Sequence, residues 1–214
     1  MLLIAHRGFA EGEHENTLAA FTRAAADPRI AGVEVDIRWS RDRGDVVLRH
    51  DPFTGGNDPS PLSLDEALAF AADRRWHVLI ECKEYDDALF VRVRALVEKH
   101  ALGDRVVLFG FKDVAEKFAW GQARPFRLGV IEEYPWRIAE TVRRLAPDVV
   151  LTGWGGGWSR RAVKAYWSMR SLARLAERHP GISLVMGIAQ NEADITWLRR
   201  RNALFAATVD FTVP

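Results

Sequence analysis

Short apolar runs punctuate the whole chain, and stretches of helical spacing separate them. Leu2-Leu3-Ile4-Ala5 reads as a buried strand ending at His6-Arg7-Gly8. Asn16 or Thr17 is placed to cap a helix reaching about Ala26, with Leu18 and Phe21 on its apolar stripe. In Gly32-Val33-Glu34-Val35-Asp36-Ile37 the apolar residues alternate with two carboxylates, which is the period of a strand. The turn Arg41-Asp42-Arg43-Gly44 can fold Val46–Arg49 back as an antiparallel hairpin, and residues 51–59 form a loop by composition. Ser63-Leu64-Asp65-Glu66 is a capping box that opens a helix to about Asp73. Strands are then expected at Val78–Lys83, Arg105–Phe109, Arg127–Ile131, Asp148–Leu151, Ser183–Ile188 and Thr208–Val213. Helices are expected between them at Asp86–His100, Val114–Trp120, Trp136–Leu145, Ser159–Arg178 and Glu192–Arg201.

With the back-folded strand set aside, eight strands remain, nearly all separated by helices. That alternation predicts an α/β fold with a parallel sheet, and eight units predict a closed (β/α)8 barrel. No helical pattern follows the last strand, so the outer ring is expected to lack its last helix. A length of 214 residues suits one domain spanning 1–214. Thirty basic and 29 acidic residues give a net charge of +1, which carries no electrostatic footprint for nucleic acid. The single cysteine, Cys82, excludes a disulfide framework within the chain and is expected to pack outward between barrel and helix. Met1-Leu2-Leu3-Ile4 runs straight into the first strand without a signal-peptide pattern, and no apolar run approaches transmembrane length. The expectation is a soluble cytoplasmic protein with no stable membrane insertion.

The alternating strand puts Glu34 and Asp36 together on the face opposite its apolar set. Like charges that close repel unless a cation lies between them. Oxygen-only ligands suggest a divalent metal, Mg²⁺ or Ca²⁺; the rival reading is an edge strand with two solvated acids. In a barrel of this kind the active site lies at the C-terminal strand ends. His6, Glu34, Asp36 and Glu81 all sit at such ends on the first three strands, and the hairpin would bring His50 beside Asp36. Four strongly polar groups at adjacent strand ends are hard to account for as a packing core. A metal pair with an imidazole is a hydrolytic site in outline.

These residues resemble a known family. His6-Arg7-Gly8, Glu15-Asn16-Thr17, Glu34-x-Asp36, His50-Asp51 and Glu81-x-Lys83 occur in the order seen in the glycerophosphodiester phosphodiesterases, TIM barrels of the phospholipase-C-like phosphodiesterase superfamily. Pro61–Leu68 is similar to the family's segment leading into the next helix, and Phe109-Gly110-Phe111 stands where the family often has Ser-Phe. The resemblance implies that Glu34, Asp36 and Glu81 bind one divalent metal and that His6 and His50 serve as acid and base. It further implies that Arg7 and Lys83 contact the phosphate of a small-molecule diester, with Glu15 and Asp51 in support. The expected reaction is metal-dependent hydrolysis of a glycerophosphodiester to sn-glycerol 3-phosphate and an alcohol. Its rivals are a phospholipase-D-like or cyclising reaction on lysolipids or other phosphodiesters, and a degenerate barrel that binds a phosphorylated ligand without turnover.

Three departures bear on the pocket. Only Pro52 to Leu62 fills the gap where many members carry a sizeable insertion, so an open mouth is expected. Thr212 replaces the Asp of the family's closing Thr-Asp-x-Pro, and Ile188-Ala189-Gln190-Asn191 lacks the family's late tryptophan. Trp39, Trp154 and Trp158 follow strand ends, where they are candidates to line the pocket or to cage a quaternary ammonium group. Trp76, Trp120, Trp136, Trp167 and Trp197 read as helix packing, and His14, His77, His100 and His179 as surface residues.

Overall fold

The computed structural model describes residues 1–9, 14–53, 61–118, 120–154 and 157–210. Its eight parallel strands are β1 (Leu2–His6), β2 (Ile30–Ser40), β4 (His77–Cys82), β5 (Val106–Gly110), β6 (Arg127–Ile131), β7 (Val149–Gly153), β8 (Ser183–Ala189) and β9 (Leu204–Val209). Each pairs with its neighbour, and β1 pairs with both β9 and β2, so the sheet closes into a (β/α)8 TIM barrel. The remaining strand, β3 (Asp45–Leu48), lies antiparallel on the end of β2, with Ile37 opposite Leu48 and Ser40 opposite Asp45. This is the predicted hairpin.

The two-residue period decides what each strand buries. Ile4, Leu79, Val107, Phe109, Leu151, Val185 and Ala206 fill the barrel. Leu3, Val33, Val35, Ile37, Val78 and Ile80 face the helices and join the larger core between barrel and ring. That ring comprises α1 (Leu18–Ala25), α2 (Leu64–Asp73), α3 (Asp87–Lys99), α4 (Lys112–Ala115), α5 (Ile138–Leu145), α6 (Gly157–Met169), α7 (Leu172–Arg178) and α8 (Glu192–Arg199). Among the described residues no helix follows β9, and no helix is long and apolar enough to cross a membrane.

Several expected boundaries move. The single helix over Ser159–Arg178 is two, because Ser171 accepts from the Arg174 N–H and starts α7 as its cap. The helix expected at Val114–Trp120 is the single turn α4. The last strand runs over Leu204–Val209 rather than Thr208–Val213. Ala206 and Ala207 weaken its sequence signal, yet both are fully buried, one on each side of the barrel wall, where small side chains fit. Cys82 packs outward as expected, donates to the Glu84 carbonyl, and has its thiol pushed up to about 12 by burial. His77 and His100 are not plain surface residues. His77 packs edge-on against Phe205, and His100 Nε2 lies 2.6 Å from Asp65.

Candidate active site

Strand register brings the polar strand ends together. His6 stands opposite Glu34, and Asp36 opposite Glu81. Carbonyls two residues apart on a strand point the same way, so one edge of β2 serves two partners in turn. The Arg7 N–H donates to the Glu34 carbonyl, and the Arg49 N–H to the Asp36 carbonyl at 2.9 Å. The hairpin strand therefore continues the edge that β1 leaves and delivers His50 above it. Arg38 fixes this delivery by donating from Nε and Nη2 to the His50 carbonyl, at 3.0 and 2.9 Å.

The turn after β1 is conformationally costly. Arg7, Gly8 and Phe9 all have positive φ, at 48°, 84° and 61°. Gly8 is required there, since a Cβ would sit 2.8 Å from both Ala20 Cβ and Phe21 Cδ1. The turn sends the Arg7 guanidinium back over the barrel end, with Nε 2.8 Å from Asp36 and Nη1 2.9 Å from Glu15. Asn16 is not the helix cap; Thr17 is. Asn16 Nδ2 instead donates to Asp36 Oδ2 at 3.1 Å, and its Oδ1 accepts the Asp36 N–H.

Asp36 is fully buried between cations: Arg7 on one side and Lys83 Nζ, 2.8 Å away, on the other. Burial opposes its charge, but Lys83 and Arg7 overcome this and hold its carboxyl below the ordinary range. Lys83 also contacts Glu81 at 2.5 Å, and its ammonium is held above its usual value despite burial because Asp36 and Glu81 flank it. Glu34 has no such support. Burial first, and then Asp36, push its carboxyl up to about 8. His6 lies 3.8 Å from Glu34 through Nε2 and 3.5 Å from Asp210 through Nδ1. Burial would lower the imidazole, but Asp210 and Glu34 outweigh it and raise it above 6.5. His50 is half-exposed, with Nδ1 2.8 Å from Asp51.

A divalent cation fits this donor set. Ligand atoms of Glu34, Asp36 and Glu81 lie within 4.8 Å of one another. Glu34 and Glu81 share between them fewer cations than carboxylate oxygens, and Glu34 is an acid whose charge burial opposes. That shortage of positive charge is of the kind a hard cation relieves.

A cavity of about 590 Å³ opens over the cluster, lined on one side by His6, Arg7, Glu34, His50, Glu81 and Lys83. The resemblance thus selected residues that the fold does assemble. The tryptophans divide differently. Trp158 stands at the rim, 83% exposed. Trp154 contributes to the lining, but its ring is buried edge-on against Trp197. Trp39 lines a separate depression with Arg38 and Phe53. Trp136, expected to pack under a helix, is 64% exposed at the cavity beside Tyr134. The helix begins two residues later than its pattern suggests, which leaves Trp136 in a 3-10 turn on the barrel end. Asp210, which the sequence reading does not single out, meets His6 only through the closed barrel; Thr212 lies outside the described residues, as do most of the shortened 52–62 segment and Gly155 and Gly156.

The glycerophosphoryl diester phosphodiesterase family model matches residues 6–213. A glycerophosphodiester phosphodiesterase from Agrobacterium tumefaciens superposes with a TM-score of 0.73 at 18% identity, covering 98% of this chain and 96% of that one. A putative glycerophosphoryl diester phosphodiesterase from Silicibacter pomeroyi gives 0.71 at 16%, covering 98% and 90%. A calcium-dependent phosphoinositol-specific phospholipase C from Pseudomonas gives 0.64 at 11%, covering 98% and 88%. At such identities these likenesses show the fold alone. No match was found among curated protein sequences.

Proposed function

Because the chain belongs to the glycerophosphoryl diester phosphodiesterase family and is thus a phosphoric diester hydrolase, we propose that it hydrolyses a glycerophosphodiester to sn-glycerol 3-phosphate and an alcohol, using one Mg²⁺ or Ca²⁺ and two histidines. The observation that carries this reading is the convergence of Glu34, Glu81 and both imidazoles on one cavity, with the buried Asp36 within 4.8 Å of the two glutamates. Glu34, Asp36 and Glu81 hold the ion, which when bound supplies positive charge to the phosphate oxygens. Arg7 and Lys83 are already poised at the same point and spread charge developing on the equatorial oxygens, Arg7 with its forked donors. His6 accepts the proton of the attacking water or hydroxyl on Nε2, while Nδ1 is oriented by Asp210. His50 gives its Nε2 proton to the departing alkoxide as the P–O bond breaks. The charge that a diester presents to a nucleophile, and its poor leaving group, are the two obstacles these groups answer.

The direct test is a panel of phosphodiesters incubated with purified protein, with and without added Mg²⁺ or Ca²⁺, and with products identified. Linear sn-glycerol 3-phosphate supports the reading. A cyclic phosphate would transfer the nucleophile's role to a substrate hydroxyl, and no product from any diester would overturn the reading.

Asp210 provides a second check. Removing a group that orients a functional histidine typically costs about 10–100-fold. Asp210→Asn is expected to lower kcat by that amount with KM nearly unchanged, and Asp210→Glu to restore part of it. Unchanged kcat across the pH range would show that the contact does not orient His6.

A further inference from the structure

The N-terminal ends of the strands close the barrel opposite the cavity, and they gather cations there. Ile4, Leu79, Val107, Phe109, Leu151 and Val185 fill the barrel between its two ends, so the floor beneath them is a separate surface. Three neighbouring strands each place a basic residue two positions before an inner one. His77 precedes Leu79 in β4, Arg105 precedes Val107 of β5, and Arg127 precedes Gly129 in β6, where a Cβ would meet the inner Phe109 and Leu151. Alternation sends His77 and Arg127 inward, and both meet the ring of Phe205 from β9. The His77 ring lies edge-on to it at 5.7 Å, and the Arg127 guanidinium stands over it, 5.0 Å from its centre. Phe205 packs against the inner core, so it is a plug on which these two side chains rest.

These cations are short of carboxylates. Among the described residues Arg127 forms no ion pair. Its Nη2 donates to the Asp148 carbonyl at 3.1 Å, while the Asp148 carboxylate is taken by Arg124 at 2.6 Å and by the Leu128 N–H. Arg105 has one loose ion pair, 3.6 Å from Nε to Asp104, whose side chain is 83% exposed. Its buried Nη1 has no hydrogen-bond partner. Burial first, then Arg105 and Arg127, hold the His77 imidazole below its usual range, against the opposite pull of Asp104 and the Arg105 backbone. A single solvated arginine at a strand end is ordinary, but basic groups drawn together around one aromatic plug repel one another. The active site shows the contrast, since Arg7 and Lys83 each contact two carboxylates there.

We infer that the barrel floor is a second anion site, which takes a phosphate between the Arg105 and Arg127 guanidiniums with His77 as a further donor. Guanidinium forks match pairs of phosphate oxygens. A carboxylate would bring one charge to these cations, whereas a phosphate brings about two. The phosphate has two possible sources, the free inorganic ion or the end of a phosphate monoester. The site stands apart from the catalytic cavity and does not depend on the proposed function.

The test follows histidine ring signals by NMR in the full chain without divalent cations, with His77→Gln assigning the His77 signal. The probes are inorganic phosphate, sn-glycerol 3-phosphate, sulfate and succinate. His6 and His50 report on the cavity and His77 on the floor, so binding at the two ends is read separately. Inorganic phosphate is expected to move the His77 signal to saturation with a Kd of about 1 mM or below. Sulfate, whose charge is fixed, should raise the pH at which His77 titrates. Arg105→Gln combined with Arg127→Gln should weaken binding by at least about tenfold; Arg105→Lys with Arg127→Lys, which keeps the charge but loses the fork, should weaken it less. Tighter binding of sn-glycerol 3-phosphate than of inorganic phosphate would identify a monoester as the source, and the reverse the free ion. A His77 signal that none of the anions moves would overturn the inference, and this result needs no variant to fold. So would tighter binding of succinate than of phosphate, or equal binding by the wild type and the double Gln variant.

Discussion

Alanine at His6 or at His50 should each lower kcat by at least about a hundredfold on a natural diester, with the fold retained. The two imidazoles reach the cavity from different chain segments, His6 from β1 and His50 from beyond the hairpin strand. In-line displacement needs a proton taken on one side of the phosphate and given on the other, so the active form pairs one neutral with one charged imidazole. A bell-shaped pH profile follows. If His6 is the base, the ascending limb should be lost in His6→Ala and the descending limb in His50→Ala. A nitrophenyl ester, whose alcohol leaves without a proton, should rescue only the variant that lacks the acid, which the proposed mechanism takes to be His50. His100→Ala is a control that should leave kcat alone while losing the Asp65 contact. Near-wild-type turnover by both variants would show that the histidines do not carry proton transfer.

Stripping divalent cations should abolish turnover, and Glu81→Gln should weaken metal binding by at least about tenfold. The stripped protein should also reveal Glu34. Its carboxyl rises from 4.5 when unfolded to about 8 when folded, so the native state binds the extra proton. Stability should therefore fall as pH rises from about 4.5 through about 8. His6, also raised, acts in the same direction: its contribution is present below 6.5 and lost as pH rises through its folded value. Asp36 acts oppositely, its stabilisation being lost only as pH falls through its depressed value. Metal binding must displace the Glu34 proton, so affinity should increase with pH over the same interval. Melting temperature against pH, with chelator and then with Mg²⁺ or Ca²⁺, reads both effects. A melting curve flat across this range, with activity indifferent to chelator, would remove the metal from the site.

What the sequence made legible was whatever a strand's two-residue period encodes. Glu34, Asp36, Glu81 and His6 each follow an apolar run, and alternation alone puts the first two on one face. The hairpin was equally local, since Gly44 and its neighbours announce the turn. What was hidden depends on contacts distant in sequence. Asn16 looks like a cap, and only the folded turn after β1 shows it bridging both ends of Asp36. Asp210 meets His6 only because the barrel closes β9 against β1. Trp158 was legible from its place after a strand end, but Trp136 has similar surroundings in sequence to tryptophans that pack inward, and nothing local marks it for the rim.

β2 hydrogen-bonds to three strands, and those three carry His6, the approach to His50, and Glu81. The spacing of the reacting groups is therefore ruled off against a single backbone, as on a jig, and positional errors do not accumulate around the ring. The cavity wall that carries Ile131 and Leu151 hangs from strands on the far side that share no hydrogen bond with β2. Its loops can be lengthened, exchanged or grafted from another barrel without disturbing the jig. An engineer who wished to change which ester arm the far wall accepts would cut after β6 and β7, and would leave β1 to β4 untouched.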